Sequence, residues 1–263
     1  MMSIGTVPIA LSPSALPGPR SAFSWEGHVP PLRRFTEDEY QRMIRDGIVK
    51  DGSSEELLDG WVVQKNQRGA EKFTPRRWTV AEYHRLIKIG VLLESERVEL
   101  LEGWIVHHVL RNTPHDTALG KTEEALRNVL PKAWRPRTQM AITTSASEPE
   151  PDIAVVNGGM DDYLESHPMA KGIGFVVEVS DSSLGVDRGT KAVVYARAAI
   201  EIYWIVNIPV RQIEVYSKPS QLDGVEGLRY SAKQIYREAD FVPVVLLGQE
   251  VSSIPVANLL PRS

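Results

Sequence analysis

Gly174-Phe175-Val176-Val177-Glu178-Val179-Ser180 is an apolar run interrupted by one carboxylate. Valines on both sides of Glu178 fit a strand covered on both faces. An ionised carboxylate in such a strand costs several kcal/mol unless a cation or a donor network compensates it. The next stretch, Asp187 to Ala199, places Ala192, Tyr195, Ala196 and Ala199 at helical spacing and Lys191 near its start. A second apolar run comes after it, Glu201 to Ile208, so the order reads as strand, crossover helix, strand. Further extended runs at Thr138 to Thr144, Asp152 to Val156 and Gln212 to Tyr216 are rich in Val, Ile, Tyr and Trp and join the same predicted sheet. Asp116 to Leu130, with Leu119, Ala125, Leu126 and Val129 in helical register and Pro131 after it, predicts a long helix. The predicted fold class is mixed α/β.

Upstream lies an internal echo. Arg33-Arg34-Phe35-Thr36 through Gly60-Trp61-Val62-Val63 recurs 43 residues later as Arg76-Arg77-Trp78-Thr79 through Gly103-Trp104-Ile105-Val106. Each copy opens with a capping-box pattern, Thr36-x-x-Glu39 or Thr79-x-x-Glu82, and stops its helix at Gly47 or Gly90. Asp59-Gly60 and Glu102-Gly103 then sit between short apolar strands, the sequence form of a β-hairpin. This predicts a tandem helix-hairpin duplication; two copies are too few for a solenoid. The expected organisation is a disordered Pro-rich tail over 1–32, a first repeat over 33–75, and a main domain over 76–263 whose opening elements are the second repeat, 76–106.

The 263 residues carry 30 Lys+Arg against 34 Asp+Glu, so no global basic field marks a nucleic-acid binder, and any polyanion site must be local. The absence of Cys excludes disulfide frameworks, thiolate metal sites and Cys nucleophiles. With no apolar stretch of membrane-spanning length and no signal-peptide pattern, a cytoplasmic location and no membrane association are expected.

Asp152, after Pro151, stands at the mouth of an apolar strand, where its carboxylate can leave the end of the sheet. Taken singly, Asp152 reads as a strand-end turn residue, Glu178 as a solvent-facing strand residue, and Asp187 with Lys191 as an exposed i,i+4 pair. Together the two acids and the lysine can converge at one sheet edge, because sequential elements are usually neighbours.

Five segments resemble, in order and spacing, the Uma-type family of endonucleases within the restriction-endonuclease-like PD-(D/E)XK superfamily. They are Val98-Glu99-Leu100-Leu101-Glu102-Gly103, Ser147-Glu148-Pro149-Glu150-Pro151-Asp152, Val177-Glu178-Val179-Ser180, Asp187-x-x-x-Lys191-x-x-x-Tyr195-Ala196, and Glu201-Ile202-Tyr203-Trp204-Ile205-Val206. The resemblance implies a restriction-endonuclease-like mixed sheet flanked by helices. It implies Mg²⁺, or Mn²⁺ in its place, held by Asp152, Glu178 and the backbone carbonyl of Val179, with Glu99 contributing from the opening element. The lysine of the wider superfamily, two residues after the second acid, is replaced by Ser180, and Lys191 resembles a migrated version reaching in from the helix. Mg²⁺ prefers such hard oxygens and keeps waters, one of which can attack. Lys191 then positions or deprotonates that water, or offsets charge on the phosphate oxygens.

Tyr195 reads as a packing residue with its hydroxyl at the rim, and Gln139 as contacting the site or a neighbouring backbone. His107 and His108 are adjacent on a predicted strand and so point to opposite faces, which argues against a shared ion; His115 reads as a cap of the long helix. Glu56 matches Glu99, but the first repeat has no Pro-Asp, Glu and Lys of its own and cannot be a second active site. The expected activity is metal-dependent hydrolysis of DNA phosphodiesters, with a homodimer expected by analogy. The rival readings are a catalytically silent interaction protein that kept the fold, or a hydrolase of another phosphoester such as RNA.

Overall fold

The computed structural model describes residues 31–50, 52, 54–65, 73–93 and 95–262. The predicted disordered tail falls mostly outside the described residues, and its last two are fixed: His107 donates to the Pro31 carbonyl and Leu32 bridges to Val106.

Two helix-hairpin units come first. Helix α1 (Glu37–Arg45) leads to the hairpin of β1 (Glu55–Leu58) and β2 (Trp61–Lys65), extended by β3 (Phe73–Pro75). Helix α2 (Val80–Lys88) leads to the hairpin of β4 (Val98–Leu101) and β5 (Trp104–His107). Both helices carry the complete capping box at Thr36 and Thr79. Both hairpins turn through two positive-φ residues, Asp59-Gly60 and Glu102-Gly103, as a tight primed turn requires. Equivalent contacts recur in each unit: Tyr40 donates to the Glu55 carbonyl and Tyr83 to that of Val98, each at 3.1 Å. The units also grip each other reciprocally. Arg42 donates to the Gly90 carbonyl and Arg85 to that of Asp46, while Phe35 and Trp78 pack edge to face between them. One apolar core runs through both, from Met43 and Val62 to Leu86 and Leu100.

Next come α3 (Thr113–Val129), β6 (Trp134–Thr138), β7 (Ile153–Asn157) and β8 (Ile173–Ser180). The crossover is α4 (Leu184–Val186), a π-turn at Asp187–Lys191 and α5 (Ala192–Arg197). The chain continues through β9 (Ile202–Asn207), β10 (Gln212–Gln221), β11 (Leu228–Arg237) and a terminal hairpin, β12 (Phe241–Leu246) with β13 (Gln249–Pro255). The central sheet runs β11-β10-β9-β8-β7-β6, with β8 and β9 parallel and the other neighbours antiparallel. Helix α3 and the terminal hairpin cover one face through Leu119, Leu126, Val244 and Ile254. Helix α5 and the β4-β5 hairpin cover the other through Tyr195, Leu101 and Val106.

Two sequence boundaries move. The strand expected at Thr138 to Thr144 ends at Thr138, because Gln139 takes φ 53° and turns the chain away. The long helix starts at Thr113 rather than Asp116: Asn112 caps it and Pro114 occupies its first turn. Strand β11 and the terminal hairpin join the predicted elements.

Candidate active site

The parallel β8-β9 connection positions the site. A crossover that leaves the end of β8 must fold back over the sheet, which brings its π-turn above Glu178, two residues before the strand ends. Glu178 shares a face with Val176 and Ala154, the side α5 covers. Its Oε1 accepts from Lys191 Nζ at 2.9 Å and Tyr195 Oη at 2.5 Å; its Oε2 accepts the Asp152 backbone N–H at 3.3 Å. Lys191 also stands 3.6 Å from Glu99 Oε1 on β4, and Glu99 Oε2 accepts the Glu150 N–H at 3.0 Å. All of these except Tyr195 line one pocket, which includes Val179, Gln139 and Asp187.

The structure thus brings Asp152, Glu178, Lys191 and Glu99 together. Val179 contributes its N–H, donated to Asp152 Oδ2 at 2.8 Å. Gln139 lines the pocket, and its backbone N–H holds the Asp152 carbonyl at 3.0 Å. One expectation for these residues changes. Tyr195 is fully buried on Glu178 rather than placed at a rim. Ser180 works one step back: with Ser183, it donates to Asp187 Oδ2, each bond 2.5 Å. Asp187 and Lys191 are both buried, so they are not an exposed surface pair.

His115 is the residue whose role the sequence pattern misplaces. Asn112 is the cap, and its Oδ1 accepts the His115 N–H. The imidazole itself reaches Asp152, Nε2 to Oδ2, at 3.1 Å. The available signal was the spacing Asn112-x-x-His115, since a side chain three residues after the cap points back over the helix start. His107 and His108 both line the pocket despite being sequence neighbours; β5 ends at His107, so the alternation of faces does not continue to His108. Glu148 lies apart, bound to His84 and Thr143.

Acids outnumber cations here, and their protonation reflects it. Burial pushes the Glu178 carboxyl well above the usual range; Lys191 opposes this, while Asp152 and Asp187 add to it. Burial likewise lifts Asp187 to about 6, against Lys191 and the two serine hydroxyls. Burial would lower the Lys191 ammonium, but Glu178, Glu99, Asp187 and Asp152 outweigh it and hold the charge well above the lysine range. Asp152 moves downward although burial acts against it, because His115, Lys191 and the Val179 N–H favour the carboxylate.

The donor set suits a hard divalent ion: carboxylates of Asp152, Glu178, Glu99 and Glu150 share the pocket, and Asp152 Oδ1 accepts no hydrogen bond among the described residues. In this arrangement Lys191 supplies the positive charge between Glu178 and Glu99, and among the described residues no three His, Asp or Glu side chains stand close enough to share an ion.

A family model, Uma2, described as "Putative restriction endonuclease", matches residues 80–257. The chain belongs to the Uma2 family. The match contains the second helix-hairpin unit, the sheet and every site residue above; the first unit lies before it. The fold is shared with a crystal structure titled as a putative nuclease belonging to DUF820 from Anabaena variabilis ATCC 29413. That structure is 15% identical, with a TM-score of 0.51 over 69% of this chain and 96% of the other. No curated protein matches this Uma2 chain. Among the described residues, no helix is long and apolar enough to cross a membrane.

Proposed function

We propose that this Uma2 chain hydrolyses DNA phosphodiester bonds with Mg²⁺ or Mn²⁺. The observation that carries this reading is the convergence of Lys191 on Glu178 and Glu99 beside Asp152, inside an open pocket of a nuclease-family chain. Asp152 through Oδ1, Glu178, Glu99 and the Val179 carbonyl would hold the ion once the carboxylates, held apart around Lys191 here, close on it. Bound there, it would supply Lewis acidity and an activated water. His115 and the Val179 N–H fix Asp152 through its other oxygen. Tyr195 and Lys191 fix Glu178. Lys191, held charged, stabilises negative charge developing on the phosphate oxygens, and burial makes that charge count for more than it would in water. The lack of cysteine suits a reducing cytoplasm.

The test is incubation with supercoiled plasmid, single-stranded DNA and RNA, each with Mg²⁺, Mn²⁺ or chelator. Metal-dependent cleavage of DNA that Asp152→Ala and Lys191→Ala both abolish supports the reading. Inert wild-type protein under every metal, or cleavage that survives in Asp152→Ala, overturns it; cleavage of RNA alone moves the substrate to RNA.

A further inference from the structure

One wall of the pocket is the segment from His108 to Asn112, between β5 and α3. Both its ends are anchored. His108 N–H donates to the Arg97 carbonyl at 3.0 Å. Asn112 Oδ1 caps α3, and Asn112 Nδ2 donates at 2.5 Å to Asp181, just past the end of β8. Between the anchors, Leu110 is 87% exposed, although it lines the pocket. Beside it, Arg111 Nε is enclosed without a hydrogen-bond acceptor among the described residues, and the Asp116 carboxylate is 4.0 Å away.

An isolated exposed leucine is ordinary. Here it stands on a lip tethered at both ends, next to a partly exposed guanidinium held only loosely by Asp116, above a floor of acids. That pairing has the chemistry of a nucleotide grip. A guanidinium takes phosphate oxygens in a fork, and an apolar side chain lies against a base or wedges at a base step. A metabolite phosphate would use the arginine but would give an outward-facing leucine nothing to cover. We infer that this lip binds the strand beside the reacting phosphodiester, with Arg111 on a neighbouring phosphate and Leu110 against an unstacked base. The inference rests on the nuclease reading and adds to it a preference for locally unpaired nucleic acid.

The test uses full-length wild-type protein, Leu110→Ala and Arg111→Gln, with a fluorescein-labelled single-stranded DNA oligonucleotide in chelator. Anisotropy over a salt series gives affinity, and thermal melting confirms that both substitutions leave the fold intact. Leu110→Ala should weaken binding by about fivefold at every salt concentration, since lost base contact is not electrostatic. Arg111→Gln should weaken it mainly at low salt and make the log affinity against log salt slope shallower by about 0.7, the release from one single-strand phosphate. Plasmid cleavage with wild-type affinity and slope in both variants overturns the lip while leaving the nuclease reading intact. Wild-type protein that neither binds nor cleaves overturns both.

Discussion

Replacing Lys191 with methionine keeps the aliphatic stem and removes the charge. Lys191 Nζ is 2.9 Å from Glu178 Oε1 and 3.6 Å from Glu99 Oε1, and both carboxylates are buried. The variant leaves them facing each other's negative charge, with Asp152 and Asp187 nearby and, among the described residues, only the Tyr195 hydroxyl and the Asp152 N–H still donating to Glu178. Removing one partner of a buried pair typically costs about 3–5 kcal/mol, which for a chain of this size lowers the melting temperature by roughly 6–20 °C. Glu178 limits the damage by keeping its proton. Its folded pKa then lies further above the unfolded value of 4.5, so the stability it contributes is complete below that value and is lost as pH rises through the folded one. The deficit relative to wild type should therefore be smaller near about pH 5 than near about pH 8. Urea unfolding followed by tryptophan fluorescence measures this. Adding Glu178→Gln should recover much of the loss at the higher pH, because both partners are then uncharged. Wild-type stability in Lys191→Met at both pH values would refute the buried pairing.

Asp187, lifted to about 6 by burial from an ordinary 3.8, costs the wild type stability as pH rises through that interval; Asp187→Asn, still able to accept from Ser180 and Ser183, should show a flatter stability profile in urea titrations across it. Gly103→Ala places a Cβ 2.8 Å from Arg77 Cβ at φ +83°, and Gly60→Ala one 2.9 Å from Arg34 Cβ at φ +80°. Each should lose about 1–3 kcal/mol in chemical unfolding, and by similar amounts. Glu214, fully buried on β10, accepts from Arg188, Lys233, Asn207 and Tyr216. Glu214→Gln should lower thermal stability by about 1–3 kcal/mol, less than a sealed pair would lose, because Arg188 and Lys233 keep contact with water.

The strands around Glu178 were legible because burial on both faces leaves long Val- and Ile-rich runs, and the crossover because alanines at helical spacing come at once after them. Strand β11 was harder to see: it lies on the sheet's outer edge, and its Leu228–Arg237 sequence is mostly polar, with no residue fully buried. Within the site, residues whose type conflicts with their surroundings announced themselves, as Glu178 does among valines. His115 did not, since a histidine in the first turn of a helix satisfies local rules whether it faces solvent or a carboxylate. Its role depends on the contact between α3 and the start of β7, which no local pattern encodes. The buried state of Asp187 was hidden for the same reason.

The π-turn at Asp187–Lys191 makes the site depend on the count of residues as much as on their identity. A wide turn accommodates one extra residue relative to the α-helix around it. That residue is absorbed within the turn, so α4 and α5 keep their facing; one more residue, wound as ordinary helix, would rotate α5 by about 100° relative to α4. Asp187 facing the β8 serine and Tyr195 facing Glu178 could not both survive that rotation. A chain of this kind can therefore tolerate drift in composition around the pocket more readily than an added residue in this segment. An insertion here would disperse the pocket with every carboxylate and the lysine still in its sequence.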